Sequence, residues 1–322
     1  MKYHQITGID KPVSRLIQGT VYFTEANKDE AFALYDAVFE QGCNTFDTAH
    51  IYVGGECERV LGDWIRTRNI RDEVVILDKG AHPIDDRQRV TADDISSDIY
   101  ESLERLGVEH IDLYILHRDD PSQPVAGIMD CLYEHHQAGR ISAIGGSNWS
   151  HQRIKEANDY ARKNDLLPFV ASNPQFSLAE MVKPTWEDCI SIGHDKDAQA
   201  WYQNNDMALF TWSSLAGGFM AGRFSRDNLD SFDDYFAGVN INAYAYEDNF
   251  RRLDRAKDLA QEKSISLPQL ALAYVLNQAL NIFALIGSMT PEQFTDNASA
   301  LDIHLSDNEL AWLNLEQDTL SE

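Results

Sequence analysis

The chain has 322 residues, of which 43% are hydrophobic, and a formal net charge of −25. A surface this acidic repels phosphate backbones and anionic lipid, which argues against nucleic-acid and membrane partners. No apolar run is long enough to span a membrane, and the first residues, "MKYHQITGID", lack the apolar core of a secretion signal, so we expect a cytoplasmic protein. The cysteines show no metal-like spacing and are expected to be reduced thiols: Cys43, Cys57, Cys131 and Cys189.

Short apolar runs alternate along the chain with amphipathic stretches. The runs are nearly continuous in apolar character, which is typical of parallel strands covered on both faces. We predict strands at residues 15–20, 44–49, 74–80, 111–117, 141–148, 169–175, 208–214 and 282–288.

The intervening stretches carry helical periodicity. In residues 91–107, Ile95, Ile99, Leu103 and Leu106 recur at spacings of four, four and three and so form one apolar stripe. Similar patterns predict helices at 28–42, 56–69, 124–139, 150–165, 246–263 and 290–301, and one more that begins at Pro268.

This alternation of strands and helices predicts a single-domain (β/α)8 TIM barrel over residues 1–322. An open dinucleotide-binding sheet fits less well, because no GxGxxG sequence follows an early strand. Two long stretches, about 176–197 and 215–245, follow the sixth and seventh predicted strands. Both are expected to overhang the carboxyl-terminal mouth of the barrel, where long loops usually serve as functional covers.

Polar side chains close three successive predicted strands. Asp47, Lys79 and His117 stand at the strand ends, and Tyr52 follows Asp47 by five positions. A lone lysine there is usually a solvated edge and a lone histidine is usually packing, but four such residues are harder to explain in this way. Because barrel enzymes carry their chemistry at the carboxyl ends of the strands, we expect the four side chains to converge on one rim.

Together these four side chains suit proton transfer to a carbonyl oxygen. Asp47 and Lys79 lie on adjacent predicted strands and can form an ion pair. The ammonium favours the phenolate of Tyr52 and is expected to lower the phenol pKa from about 10 toward the working pH. The phenol can then donate a proton while His117 hydrogen-bonds the same oxygen. Nothing in the group supplies electrons, so a hydride donor is needed.

The segments "FDTAHIY", "ILDKG" and "YILHRDDP" together resemble the catalytic tetrad of the aldo-keto reductases, and the resemblance extends along essentially the whole chain. It implies that Asp47, Tyr52, Lys79 and His117 are catalytic in a (β/α)8 barrel. It also implies a small-molecule carbonyl substrate and a nicotinamide dinucleotide cofactor, with NADPH expected and NADH as the alternative. It implies no metal.

Further segments resemble the cofactor-binding motifs of this family. "GGSNWS" implies that Ser147 and Asn148 bind the nicotinamide carboxamide with Gln175, and Trp212 stands where a tyrosine usually stacks on the nicotinamide. The complete set that the resemblance implies for the cofactor is Gly19, Thr20, Asp47, Ser147, Asn148, Gln175, Trp212, Ser213, Leu215, Gly217, Arg223, Gly287, Ser288, Gln293 and Asn297.

The chain also departs from the family pattern. Many members carry lysine and arginine where this chain has Gly287 and Gln293, which keeps NADH use open. Val53 replaces the usual glycine after the tetrad tyrosine, and Asp78 is expected to face the surrounding helices by strand alternation. Candidate walls of a substrate pocket are Tyr22, Trp149, Phe176 and Trp212.

Two alternatives to a carbonyl reductase stand beside this interpretation. One is a cofactor-bound regulatory or redox-sensing barrel with slow chemistry and a protein partner, which the intact tetrad disfavours without excluding. The other is a metal-dependent barrel hydrolase, which is disfavoured because no HxH sequence occurs at the first strand. The sequence gives no indication of the oligomeric state.

Overall fold

The computed structural model describes residues 1–85 and 87–320. An antiparallel hairpin, β1 (Tyr3–His4) and β2 (Val13–Ser14), precedes a closed barrel of parallel strands. The hairpin was not predicted. Its connecting segment contributes Ile6 and Ile9 to the apolar cluster inside the barrel, so it plugs the interior.

Within the described residues the barrel is closed by eight parallel strands, which confirms the predicted (β/α)8 fold. The strands are β3 (Leu16–Gly19), β4 (Thr45–Asp47), β5 (Val75–Gly80), β6 (Ile111–Leu116), β7 (Ile141–Ser147), β8 (Ala171–Asn173), β9 (Ala208–Thr211) and β10 (Ile282–Ile286). They pair in chain order, and β10 closes the ring against β3.

The strands are buried on both faces, which explains their unbroken apolar sequences. In β5, Val75 and Leu77 belong to the cluster inside the barrel, whereas Ile76 between them belongs to the cluster between strands and helices. Alternate residues therefore serve two separate apolar layers, and both layers favour large aliphatic side chains.

Helices surround the barrel. They are α1 (Lys28–Glu40), α2 (Glu56–Arg68), α3 (Ala92–Leu106), α4 (Val125–Gln137), α5 (His151–Lys163), α6 (Lys196–Asn205), α7 (Tyr235–Tyr244), α8 (Glu247–Glu262), α9 (Leu267–Leu276), α10 (Pro291–Ser299) and α11 (Asp307–Leu313). Of the described helices, none is long and apolar enough to cross a membrane.

The two long stretches follow β8 and β9, as expected, and they are tied to each other. The amide of Val182 donates to the carbonyl of Ala243 at 3.0 Å. Just after the second stretch, the side chain of Asn249 in α8 accepts from the amide of Glu180 and donates to its carbonyl, both at 2.8 Å. The second stretch contains α7 and two short 3₁₀ segments, Ala216–Ala221 and Leu229–Ser231. These contacts make one connected cover out of two loops.

A strained residue follows the candidate catalytic tyrosine. Val53 lies in the 3₁₀ segment Tyr52–Gly55 with φ of 46° and ψ of 45°, in the left-handed region. A left-handed conformation costs an L-residue about 1–2 kcal/mol, and a β-branched side chain suits it poorly. Half of the Val53 side chain is exposed, so little packing compensates for the strain.

We expect Val53→Gly to stabilise the protein by about 1 kcal/mol, because relief of the left-handed strain exceeds the entropy cost of glycine. Equilibrium urea unfolding measures the change. Val182→Gly is the matched control, since Val182 is similarly exposed but has no positive φ, and it should destabilise. A Val53→Gly variant that is as destabilised as the control would contradict the assigned strain.

Candidate active site

A buried ion pair lies at the carboxyl end of neighbouring strands β4 and β5. Lys79 Nζ is 2.6 Å from Asp47 Oδ1 and donates to the carbonyl of Thr48, also at 2.6 Å. Lys79 is only 2% exposed and Asp47 only 4%. Each charge would be costly alone at this depth, and the short pair with its extra carbonyl contact offsets that cost.

The Lys79 ammonium is stabilised in its charged form. Burial alone would lower its pKa, but the Asp47 carboxylate and the Tyr52 phenol raise the pKa of Lys79 above its usual value. Lys79 is therefore cationic at neutral pH, and Asp47 is its counterion.

The Tyr52 ring stands directly against this pair. Lys79 Nζ lies 4.8 Å from the centroid of the ring, which is half-buried. Burial raises the pKa of Tyr52 above its ordinary value, and the opposing effect of Lys79 is smaller. The prediction that Lys79 lowers the pKa of the Tyr52 phenol was therefore wrong. The cost of desolvating a phenolate outweighs the effect of one neighbouring cation. At neutral pH the phenol retains its proton.

His117 follows the end of β6 and completes the group. Its ring meets Tyr52 edge-on, with centroids 5.8 Å apart. Burial, followed by the charges of Arg118 and Lys79, holds the pKa of His117 well below its usual value, so the imidazole is neutral. Among the described residues its buried Nδ1 has no hydrogen-bond partner. The structure thus brings all four predicted catalytic residues together.

The predicted carboxamide-binding residues lie at the ends of β7 and β8. Ser147 Oγ donates to the carbonyl of Asn173 at 3.0 Å, and Asn148 Nδ2 donates to Ser147 Oγ at 3.0 Å. Asn148 has a φ of 59°, which its short amide tolerates. Gln175 is fully buried and donates to Ser177 Oγ, while its Oε1 has no hydrogen-bond partner among the described residues. These side chains form one polar cluster of amides and hydroxyls.

The segment after β9 turns sharply at residues 213–223. Ser213, Gly217 and Gly218 have positive φ values. A Cβ at Gly217 would lie 2.0 Å from Asn240 Oδ1, so only glycine allows α7 to approach this closely. Arg223 is half-exposed and pairs with Asp234 at 3.1 Å. Trp212 and Leu215 are half-buried. The Nε1 of Trp212 is buried and has no hydrogen-bond acceptor among the described residues.

The segment after β10 forms a second compact polar cluster. Ser288 Oγ accepts from Asn297 Nδ2 at 3.1 Å, and its carbonyl accepts from Gln18 Nε2 at 3.0 Å. Gln293 is exposed and caps its own turn through the amide of Met289. Gly287 is also exposed, with the Tyr22 ring 3.8 Å from where a Cβ would lie.

The first barrel strand lies next to the ion pair. Gly19 pairs in register with Asp47, and the amide of Thr20 donates to the Asp47 carbonyl at 3.0 Å. The hydroxyl of Thr20 is buried and has no hydrogen-bond partner among the described residues. The unpaired hydroxyl of Thr20, the unpaired acceptor Gln175 Oε1 and the unpaired donor Trp212 Nε1 fit the polar edges of a nicotinamide dinucleotide bound across the mouth.

Two of the four candidate pocket walls proved to be core residues. Trp149 is fully buried and packs edge-on against Phe169, and Phe176 packs against Tyr274. The error arose because sequence alone does not distinguish an aromatic residue that faces a pocket from one that supports it.

The cover contributes aromatic residues that the sequence analysis missed. Trp186 lies with its ring 6.5 Å from Trp212, and its Nε1 donates to the hydroxyl of Tyr235 at 3.2 Å. His82 also reaches the mouth, with its ring 4.8 Å from that of His117. Of these residues, only His82 could have been suspected from the sequence, because it follows Lys79 by three positions.

Asp78 lies behind the mouth, between the barrel and its helices. It is fully buried, and its Oδ1 accepts from the amide of Lys79 at 2.8 Å. Burial, followed by the nearby Glu58 carboxylate, raises the pKa of Asp78 well above its usual value. Its position agrees with the expected helix-facing contact. Within residues 1–85 and 87–320, no three His, Cys, Asp or Glu side chains are grouped so as to hold a metal ion.

Comparison with known proteins agrees with this geometry. The family model described as "Aldo/keto reductase family" matches residues 15–314. The chain belongs to the aldo/keto reductase family. This membership supports a carbonyl-reducing oxidoreductase in general terms.

Three relatives are about equally similar to this chain in sequence. An aldo-keto reductase of Gibberella moniliformis is 30% identical over 88% of this chain and 82% of its own length. Norsolorinic acid reductase of Emericella nidulans is 27% identical, covering 92% and 76%. A protein of Oryza sativa subsp. japonica named "probable voltage-gated potassium channel subunit beta" is 29% identical, covering 94% and 92%.

The buried pair gives a stability prediction. Lys79→Met should destabilise the protein by about 3–5 kcal/mol, because the Asp47 carboxylate is left buried without its cation. Adding Asp47→Asn should recover much of the loss. Lys28→Met, which removes a more exposed pair with Asp63, is the control and should cost less than about 1 kcal/mol. Urea unfolding at pH 7 compares the variants, and equal losses for Lys79→Met and Lys28→Met would contradict the prediction.

Proposed function

We propose that this protein reduces aldehydes or ketones to alcohols with a nicotinamide dinucleotide, preferentially NADPH, and that Tyr52 donates the proton. The observation that carries the proposal is a neutral phenol held against a buried Asp47–Lys79 ion pair and a neutral His117. Family membership supports the reaction class.

Each tetrad residue has a distinct part in this proposal. Tyr52 gives its proton to the carbonyl oxygen as negative charge develops there. Lys79 stabilises the resulting phenolate, since its ammonium lies against the ring. Asp47 holds Lys79 in place and in its charged form. His117, being neutral, can donate one hydrogen bond to the same oxygen and orient it.

The cofactor supplies the hydride for the carbonyl carbon when it is bound. The amides and hydroxyls of Ser147, Asn148 and Gln175 fit the donors and acceptors of a carboxamide, and the Trp212 indole offers a flat face for the nicotinamide ring. Gly19 pairs in register with Asp47, and Gly19 and Thr20 are expected to lie under the same position.

The remaining residues of the proposed cofactor site belong to two segments. Those expected near the pyrophosphate are Ser213, Leu215, Gly217 and Arg223, and those expected near the adenosine end are Gly287, Ser288, Gln293 and Asn297. Thr290 caps the first turn of α10, and the backbone amides of that turn suit a phosphate.

Tyr52→Phe should lower kcat/KM for carbonyl reduction by at least about 10²-fold, because the proton donor is lost. NADPH affinity should be retained, as the hydroxyl serves the substrate oxygen. Tyr100→Phe removes an exposed phenol on α3 and serves as the control. Near-full activity of Tyr52→Phe would refute the assigned proton donor.

NADPH should quench the intrinsic tryptophan fluorescence and bind at least about tenfold more tightly than NADH. Titration of the cofactor-free protein measures both dissociation constants. Trp212→Phe should reduce the quenching, because the indole lies where the ring is expected to stack. Absence of quenching by either nucleotide would count against the cofactor site.

A second candidate function is a cofactor-bound regulatory barrel. It is favoured by the similarity to the rice protein named as a potassium channel beta subunit, which covers nearly the full length of both chains. Tight NADPH binding with negligible turnover over a panel of aldehydes and ketones would support it, whereas turnover that depends on Tyr52 would support the reductase.

A further inference from the structure

Arg118 is a buried cation beside the candidate active site. It directly follows His117 and is only 6% exposed. Its Nη1 donates to the carbonyl of His117 at 2.8 Å, and its own carbonyl accepts from Trp149 Nε1 at 3.0 Å. One hydrogen bond thus holds the side chain of Arg118, and the other holds its backbone, just beyond the carboxyl end of β6.

No carboxylate in the described part of the chain forms an ion pair with Arg118. The two acidic residues that follow it are engaged elsewhere. Asp119 pairs with Arg153 at 3.3 Å, and Asp120 accepts from the amide and hydroxyl of Ser122. The other buried arginine among the described residues behaves differently, since Arg252 Nη2 lies 3.8 Å from Glu180 Oε2. A buried guanidinium without an anion is costly, so an incoming anion would gain from meeting it.

The charge of Arg118 acts on the reacting groups. It contributes to the low pKa of His117 and of His82, and it opposes the rise in the pKa of Tyr52. Arg118 therefore lies within electrostatic reach of the phenol and of both imidazoles.

The cofactor phosphates do not explain this cation. The segments suited to them follow β9 and β10, whereas Arg118 follows β6. Around the ring, β6 is four strands from β10 and three from β9. An anion at Arg118 would thus lie across the barrel from the phosphates.

We propose that Arg118 binds a carboxylate carried by the carbonyl substrate, so that the preferred substrates are aldehydes or ketones bearing an acid group. This inference rests on the proposed reductase function and adds the substrate class. The guanidinium fork matches a carboxylate in a planar, two-hydrogen-bond arrangement, which fixes the orientation of the substrate as well as attracting it.

The test compares 4-carboxybenzaldehyde with its neutral methyl ester, methyl 4-formylbenzoate. The wild type should favour the carboxylate in kcat/KM. Arg118→Met should reduce the ratio of the two kcat/KM values by roughly 30-fold, the loss expected for a charge-assisted hydrogen-bonding pair. Arg118→Lys should keep part of the preference. Arg162→Met, at an exposed arginine on α5, should leave the ratio unchanged.

Calorimetric binding of both compounds to the same variants, without turnover, separates the two claims. The inference is upheld where the wild type binds the carboxylate more tightly than the ester and Arg118→Met does not. If neither aldehyde is reduced but this binding difference is present, the proposed function fails and the anion site stands. Equal losses for both compounds, or a ratio unchanged in Arg118→Met, would overturn the anion site.

Discussion

The buried pair between Lys79 and Asp47 is the interaction on which the candidate site depends. Asp47 ends β4 and Lys79 is the last but one residue of the adjacent β5, so the pairing of these two strands brings the charges within 2.6 Å. Because both charges are almost fully removed from water, neither is stable there without the other. The pair therefore links the integrity of the fold to the presence of a fixed cation at the mouth.

That cation, together with burial, sets the protonation states of the neighbouring groups. Desolvation keeps Tyr52 a neutral phenol, and burial with nearby cations keeps His117 a neutral imidazole. A protonated phenol beside an ammonium is suited to release its proton only as charge develops on a substrate. The protein carries a net charge of −25, yet two buried cations, Lys79 and Arg118, lie close to the reacting groups.

The sequence predicted the barrel and the convergence of the tetrad, because both follow from local patterns. Continuous apolar runs mark strands buried on two faces, and residues that close successive strands must share a rim. It did not predict α7, whose apolar residues do not form one stripe. The direction of the Tyr52 pKa was also missed, because burial depends on how the cover packs. Trp149 and Trp212 look alike in sequence, and only tertiary packing assigns one to the core and the other to the mouth.

The central claim is that Tyr52 is a neutral proton donor beside a buried ion pair. Tyrosine labelled with ¹³C at Cζ reports phenol ionisation by NMR, and the Tyr52 resonance is identified by its loss in Tyr52→Phe. The account predicts that this signal stays at the protonated position through neutral pH and is half-titrated only above pH 10, the ordinary phenol value. A transition below pH 9 would contradict it, since it would mean that Lys79 outweighs burial.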